Sequence, residues 1–410
     1  RSEAEIVRVP KRSGPGSFTQ SQINDILVKR AGEHRVTVRL KGGDSWIFGR
    51  GSEEARVLAA EGIPFEVVPG ITAGIAAAEY AGLKLTDREC SSQVVFVTGR
   101  EAEGKESSSI DWDLLARFRG TLVFYMSVGT LKNITERLLE CGMDGDIPAA
   151  AVENATLGSQ RVLSSTVSRI ADDSAESGIK PPAVVITGSG AEGGNALEWF
   201  SKLPLFGKNI VLTRNERGNA ETASRIAALG GNPVPFNSIK IKSRLSQSVF
   251  SKIITGIQQS DWAVFTSRNG VRIFFDCLQS QGLDSRVFAG SRLAVIGSET
   301  ASELALHGLR ADLVPSSYTG RDLALEMSGK CDINGKTVLL LRCDAASQQL
   351  PEMLREAGAE AVEMPLYTIS HPENNPGPLV SRIEDGDIDW ITFASPSAVR
   401  AFFEQIPVKT

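Results

Sequence analysis

Histidine and cysteine are scarce in this 410-residue chain, with His34, His307 and His371 against Cys90, Cys141, Cys277, Cys331 and Cys343. No CxxC pair occurs and the histidines are scattered, so the chain reads as metal-free with reduced thiols, and a disulfide framework is excluded. Long apolar runs are lacking too. No stretch approaches the roughly 18 residues of a membrane span, and no charged, apolar and small-residue succession marks a signal peptide. This predicts a cytoplasmic protein with no membrane partner, although Arg1 in place of Met leads us to expect a further segment upstream. An excess of one charge is missing as well. The 44 basic and 49 acidic residues leave −5, without a basic run, so nucleic acid is not an expected partner. What remains, 41% hydrophobic and 23% charged residues, is the balance of a soluble globular protein that buries a large core in two or three domains.

Short β-branched runs alternate with helical patterns: VTVRL, SEEARVLAAEG, PFEVVPG, ITAGIAAAEYAG and QVVFVTG in order. Such alternation predicts α/β layers with mostly parallel strands. A second set runs from TLVFYMS through a helix at Leu131 to Cys141, then PAAAVEN, QRVLSST and PAVVITG. Residues 189–208 are glycine-rich and irregular, which places the main boundary near Ser201 to Pro204. The expected domains are 1–202 and 203–410.

Beyond that boundary the sequence repeats at an offset of 128 residues: DWAVFTSRNGVRIFFD from Asp261 returns as DWITFASPSAVRAFFE from Asp389, and GKNIVLTR from Gly207 as GKTVLLLR from Gly335. This is a duplicated α/β unit, and two like lobes imply a cleft. The counterpart of RLAVIGSETASELALHG would fall past Thr410, so the chain is expected to continue there.

Arg39 to Glu54 reads RLKGGDSWIFGRGSEE, a strand pattern ending in a Gly-Gly-Asp turn before a helix. Two glycines there supply a tight turn, or let the backbone approach a ligand at a strand's C-terminal edge with Asp44 accepting hydrogen bonds. The string is neither GxGxxG nor a Walker loop. Together with KRSG, QINDIL, FGRG, GIPFEVVPGITA, AGLKLT, LVFYM, VEN and PAVVITG, over roughly Val7 to Trp199, it resembles the uroporphyrinogen-III C-methyltransferases of the tetrapyrrole methylase family. The resemblance implies a two-lobed α/β domain that methylates uroporphyrinogen III to precorrin-2 with S-adenosylmethionine, toward sirohaem or cobalamin. It places Gly42, Gly43, Asp44, Ile47, Thr72, Ala73, Met126 and Ala155 at the methyl-donor site, Arg39 with the substrate, and Lys11 as proton donor. It also implies a homodimer through this half. Without the family, Met126 reads as a core strand residue, Lys11 as a solvated lysine and Thr72 as a helix cap. The family's opening strand, its GxGPGD loop and its acidic proton acceptor have no match here, and Gly16, Ser45, Asp87 and Ala155 depart from its pattern.

From Leu205 the strings LFGKNIVLTR, FTSRNGV, RLAVIGSETASEL, VPSSYTGRDL, GKTVLLLRCD, MPLYTISHP and ITFASPSAVRAFF resemble uroporphyrinogen-III synthase. That family has two α/β lobes joined by a two-strand ribbon, which implies lobes of about 207–239 plus 368–410, and 240–367. The implied reaction closes hydroxymethylbilane with inversion of its last pyrrole, without metal or cofactor. Tyr367 matches the family tyrosine that assists hydroxide departure; it reads otherwise as a hinge residue packing where the ribbon crosses. The repeat-equivalent pairs Ser267 and Ser395, and Arg214 and Arg342, are candidate binders of substrate carboxylates, the serines reading equally as helix caps.

The product of the second half is the substrate of the first, so the two resemblances together imply a bifunctional tetrapyrrole enzyme. Two alternatives stay open: a synthase carrying a decayed methyltransferase half, and a two-lobed small-molecule binding protein.

Overall fold

The computed structural model describes residues 4–10, 17–101, 108–193 and 196–406. The chain divides into two compact units, Arg1–Asn209 with Ser224–Pro233, and Ile210–Ala223 with Val234–Thr410. No described helix is long and apolar enough to cross a membrane.

In the first unit the order is α1 (Gln20–Glu33), α2 (Gly51–Ala60), α3 (Ala73–Ala81), β1 (Val94–Thr98), α4 (Trp112–Ala116), β2 (Thr121–Tyr125), α5 (Leu131–Glu140), β3 (Pro148–Glu153), β4 (Arg161–Thr166), α6 (Ile170–Glu176) and β5 (Ala183–Thr187). Thr19 and Gln22 form a reciprocal capping box that starts α1. The strands make one sheet in the order β1-β2-β5-β3-β4. Only β1 and β2 are parallel, while β2–β5, β5–β3 and β3–β4 are antiparallel. The expectation of mostly parallel strands is thus corrected for this unit. Connection length accounts for β3–β4, where residues 154–160 suffice to reverse the chain, whereas parallel neighbours need a crossover of a dozen residues or more; β5, reached through α6, then lies antiparallel between β2 and β3.

Each face of the sheet carries a core. Leu115, Leu131, Ile134, Leu138 and Ile170 pack with Leu122 and Phe124 on one side. On the other, Ala77, Ala78 and Ala81 of α3 lie against Val123, Tyr125 and Ala150, and their short side chains let the helix come close to the strands. A second correction concerns VTVRL and PFEVVPG, which form no strand and pair with none among the described residues. Val36, Val38, Leu40 and Val68 are exposed. An alternating pattern becomes a strand only where a neighbouring strand accepts its backbone and a core covers one face, and here neither is met.

The second unit contains β6 (Asn209–Leu212), whose first residue falls at the unit boundary, α7 (Glu216–Ala228) and β7 (Asn232–Pro235), both of which straddle it, and β8 (Lys240–Ser243), α8 (Gln247–Gln259), β9 (Trp262–Phe265), α9 (Arg268–Ser280), β10 (Arg292–Val295), α10 (Ser298–Ala305), α11 (Gly320–Lys330), β11 (Thr337–Cys343), α12 (Gln349–Glu356), β12 (Glu360–Ser370), α13 (Gly377–Glu384), β13 (Trp390–Thr392) and α14 (Pro396–Gln405). Five strands form a sheet in the order β10-β9-β11-β12-β8, parallel except where β8 runs antiparallel to β12. Both faces are covered, one by α8 and α9 and the other by α11 and α12. That is why β11 reads as the near-continuous apolar run TVLLLRC, with six consecutive residues buried after Thr337. A three-stranded sheet, β13-β6-β7, holds Phe236, Leu379 and Phe402 in its own core. The repeat appears as two strand-serine-helix units, β9-Ser267-α9 and β13-Ser395-α14.

Candidate active sites

A cavity of about 980 Å³ opens in the first unit, lined by Gly42, Gly43, Ala73, Tyr125, Met126 and Ala155 among others. Gly43 has φ 69°, a conformation that favours glycine. A Cβ on Gly70 would collide with the Gly43 carbonyl, so the two loops touch backbone to backbone. Asp44 fastens them: Oδ1 accepts the N–H groups of Trp46 (2.8 Å) and Ile47 (3.0 Å), and Oδ2 that of Gly70 (3.2 Å). The Ile47, Trp46 and Gly70 amides hold its carboxyl below the usual range.

Thr72 precedes α3 but makes no side-chain cap, which corrects the capping alternative. Its Oγ1 lies 2.9 Å from Tyr125 Oη, which also accepts the Gly74 N–H at 2.8 Å. The phenol therefore props the start of α3 against the end of β2. Met126, next in line, has φ 54° and is 54% exposed, so it is not a core strand residue. Of the predicted donor-site residues, Gly42, Gly43, Ala73, Met126 and Ala155 line the cavity. Asp44 and Thr72 shape its wall from behind, and Ile47 is exposed outside the lining. Arg39 is drawn away to buried Glu54, at 3.3 Å, which Lys41 also meets at 2.7 Å. Lys11 lies outside the described residues.

In the second unit, Tyr367 is 4% exposed and its Oη lies 2.8 Å from Ser267 Oγ. Ser267 also accepts the Gly270 N–H at 3.1 Å as the N-cap of α9, so it serves helix and tyrosine together. Burial pushes the Tyr367 phenol above its ordinary value, opposed by the Ser267 hydrogen bond. The charge of Arg342 acts on the same phenol, but its guanidinium is buried, donating from Nη2 to the Ser347 carbonyl at 2.6 Å with Nη1 3.5 Å from Glu363. Ser267, Tyr367 and Arg342 are thus gathered at one sheet edge. Arg214 and Ser395 stand at the corresponding edge of the three-stranded sheet, after the parallel neighbours β6 and β13. Ser395 caps α14 through the Ala398 N–H at 3.2 Å. Buried Asn219 fixes the turn at Arg214, accepting its N–H at 2.9 Å and donating to its carbonyl at 3.0 Å.

One relative spans nearly the whole chain: the porphyrin biosynthesis protein HemD of Ruminiclostridium josui is 35% identical over 412 residues, 99% of this chain and 81% of its own length. The chain belongs to this family. Its two parts match separate family models, Tetrapyrrole (Corrin/Porphyrin) Methylases over residues 3–171 and Uroporphyrinogen-III synthase HemD over residues 220–409. The S-adenosyl-L-methionine-dependent uroporphyrinogen III methyltransferase of Methanosarcina barkeri is 46% identical over 46% of this chain and 73% of its own. The uroporphyrinogen-III C-methyltransferase of Bacillus subtilis is 32% identical over 70% of this chain and 59% of its own. Among solved structures, a uroporphyrin-III C-methyl transferase from Thermus thermophilus, complexed with S-adenyl homocysteine, matches 43% of this chain and 78% of its own at 35% identity and a TM-score of 0.37.

Several site residues escape a reading by motif. Tyr125 sits in LVFYM beside the recognised Met126 yet does the positioning. Asn154 and Thr156 line the cavity with φ of 50° and 72°, a cost kept where surrounding structure demands it. Arg268 and Arg272 on α9, and Glu299 and Glu303 on α10, are pairs of like charge one turn apart and of opposite sign between helices. That spacing was the available signal.

Proposed function

We propose that this chain is a bifunctional enzyme of tetrapyrrole biosynthesis. Its second unit cyclises hydroxymethylbilane to uroporphyrinogen III, and its first methylates uroporphyrinogen III to precorrin-2 with S-adenosylmethionine. The observation that carries this reading is that one relative, named for porphyrin biosynthesis, follows the chain through both halves.

For the methyl donor, the residues present fit. The cavity is large enough for a nucleoside-sized molecule and mostly apolar, with bare backbone at Gly42 and Gly43. Gly42, Gly43, Ala73, Met126 and Ala155 would hold it, with Asp44, Thr72 and Tyr125 keeping their backbones in place. The donor supplies an electrophilic methyl group on sulfonium sulfur.

In the synthase unit, Tyr367 is the candidate general acid. Buried and neutral, it offers its Oη proton to the leaving hydroxyl of the terminal hydroxymethyl group. The C–O bond breaks, the proton and hydroxide leave as water, and the pyrrole nitrogen's electron pair stabilises the azafulvene cation. The ring D carbon attack and ring inversion follow from how the protein folds the substrate. Ser267 returns a hydrogen bond to the phenolate.

The test is incubation with hydroxymethylbilane, with and without labelled S-adenosylmethionine, followed by oxidation and isomer analysis. Type III isomer and a doubly labelled product are expected. Type I isomer alone would overturn the synthase reading, and unlabelled type III isomer the methyltransferase reading.

A further inference from the structure

Beside the Tyr367–Ser267 pair, α9 begins with Arg268 and presents Arg272 one turn later. Glu221 of α7, a helix that leads away from the three-stranded sheet, reaches both: Oε1 is 2.9 Å from Arg272 Nη1 and Oε2 is 3.5 Å from Arg268 Nη1. Arg272 is also held from its own side by buried Glu303 at 2.7 Å, and Arg268 by exposed Glu299 at 3.0 Å. Arg272 Nε is buried with no hydrogen-bond partner.

Arg214 joins the group from the end of β6. Its guanidinium folds over α7, where a Cβ on Gly218 would stand 2.9 Å from Nε. It makes no ion pair within contact distance among the described residues, and burial, then the charge of Arg268, lowers its affinity for a proton. A guanidinium beside two others and short of a carboxylate is poised for an anion. Half-exposed Glu221 is the carboxylate that bridges both arginines and would have to yield to a ligand there, whereas buried Glu303 stays with Arg272 and Glu299 meets Arg268 alone.

We propose that Arg214, Arg268 and Arg272 form a subsite for an acetate or propionate carboxylate of the linear tetrapyrrole, and that Glu221 occupies it in the substrate-free chain. This rests on the synthase reading. The substrate carries a carboxylate pair on every pyrrole, so a carboxylate near the reacting hydroxymethyl group meets α9 one turn from Ser267. Its arrival displaces Glu221 and leaves the charge balance of Arg268 and Arg272 unchanged, with Arg214 gaining a partner.

The experiment compares the chain with Glu221→Gln, Arg268→Met and the double variant in two assays. One is steady-state formation of uroporphyrinogen III. The other is fluorescence titration with uroporphyrin III, a non-reacting octacarboxylate. Glu221→Gln should lower KM about threefold and tighten uroporphyrin binding to match, with kcat within a factor of two. Arg268→Met should raise both constants about tenfold, and the double variant should follow Arg268→Met. If Glu221 is only a latch between helices, Glu221→Gln will lower the melting temperature without lowering KM or the uroporphyrin Kd, and the proposal falls. Should Glu221→Gln fail to fold, Glu221→Asp takes its place, since its shorter side chain must also release the arginines and tighten uroporphyrin. An inactive parent chain that still binds uroporphyrin through Arg268 would sink the synthase reading and leave the carboxylate subsite standing.

Discussion

Tyr367 of β12 and Ser267 at the head of α9 lie 100 residues apart and share a 2.8 Å hydrogen bond between their hydroxyls. Strand β12 carries the tyrosine to the edge where β9 ends, and the repeat places a serine at that edge. Tyr367→Phe should retain the fold and reduce kcat for uroporphyrinogen III formation by about 10²-fold, because the proton for the leaving hydroxyl is gone. Ser267→Ala should cost less in rate but more in stability, about 1 kcal/mol, since it also removes the cap of α9. Equal rates for Tyr367→Phe and the parent would return the tyrosine to a packing role.

The same burial sets a titration. Tyr367 has a folded-state pKa above the ordinary 10.0. Its contribution to stability is therefore full below pH 10 and is lost as pH rises through the folded value, where the unfolded chain has already released the proton. Phenolate absorbance of the parent minus that of Tyr367→Phe should show one tyrosine ionising above pH 10. A difference curve centred below that value would mean the phenol is open to water.

Much of this was legible in the sequence because it depends on local pattern. Helices α2 and α3, strands β1 to β5 and the two strand-serine-helix repeats follow from periodicity, and Gly43 and Asp44 from turn chemistry. What failed depends on neighbours. VTVRL alternates as a strand should, yet Val36 and Val38 are exposed without a ladder partner among the described residues. Arg342 is the repeat partner of Arg214, but β11 is covered on both faces and β6 belongs to a smaller sheet, so one guanidinium is buried against Ser347 and the other faces Arg268. Symmetry in sequence did not carry over to burial.

Asp44 gives an acid-side prediction for the cavity proposed to take the methyl donor. Three backbone amides depress its pKa below 3.8, so its bonds to Trp46, Ile47 and Gly70 are present above the ordinary value and are lost as pH falls through the depressed one. Asp44→Asn keeps the size but puts a donor where an acceptor is needed. Calorimetry should show S-adenosylhomocysteine binding weakened about tenfold in this variant. An unchanged affinity would mean that the 42–47 loop holds its shape without the carboxylate.

The last prediction separates the two activities through Tyr125. Its phenol has two partners at the start of α3, Thr72 Oγ1 and the Gly74 N–H, in a wall where Thr72 is 5% exposed and Tyr125 is 7% exposed. Tyr125→Phe leaves the Gly74 amide with no acceptor from β2, a loss of about 1–3 kcal/mol for a buried donor. The start of α3 then loses its anchor, and Ala73, which lines the cavity, shifts with it. Gly74→Ala attacks the same joint by crowding, because the added Cβ would lie 2.5 Å from Tyr125 Oη and 2.7 Å from Val123 Cγ1. Overpacking of this kind costs about 1–3 kcal/mol. Both variants should weaken S-adenosylhomocysteine binding and methyl transfer, while uroporphyrinogen III formation in the other unit stays at the parent rate. Running both assays on one preparation makes the comparison internal. If Tyr125→Phe lowered synthase turnover as much as methyl transfer, the phenol would be supporting the whole chain and not the donor cavity.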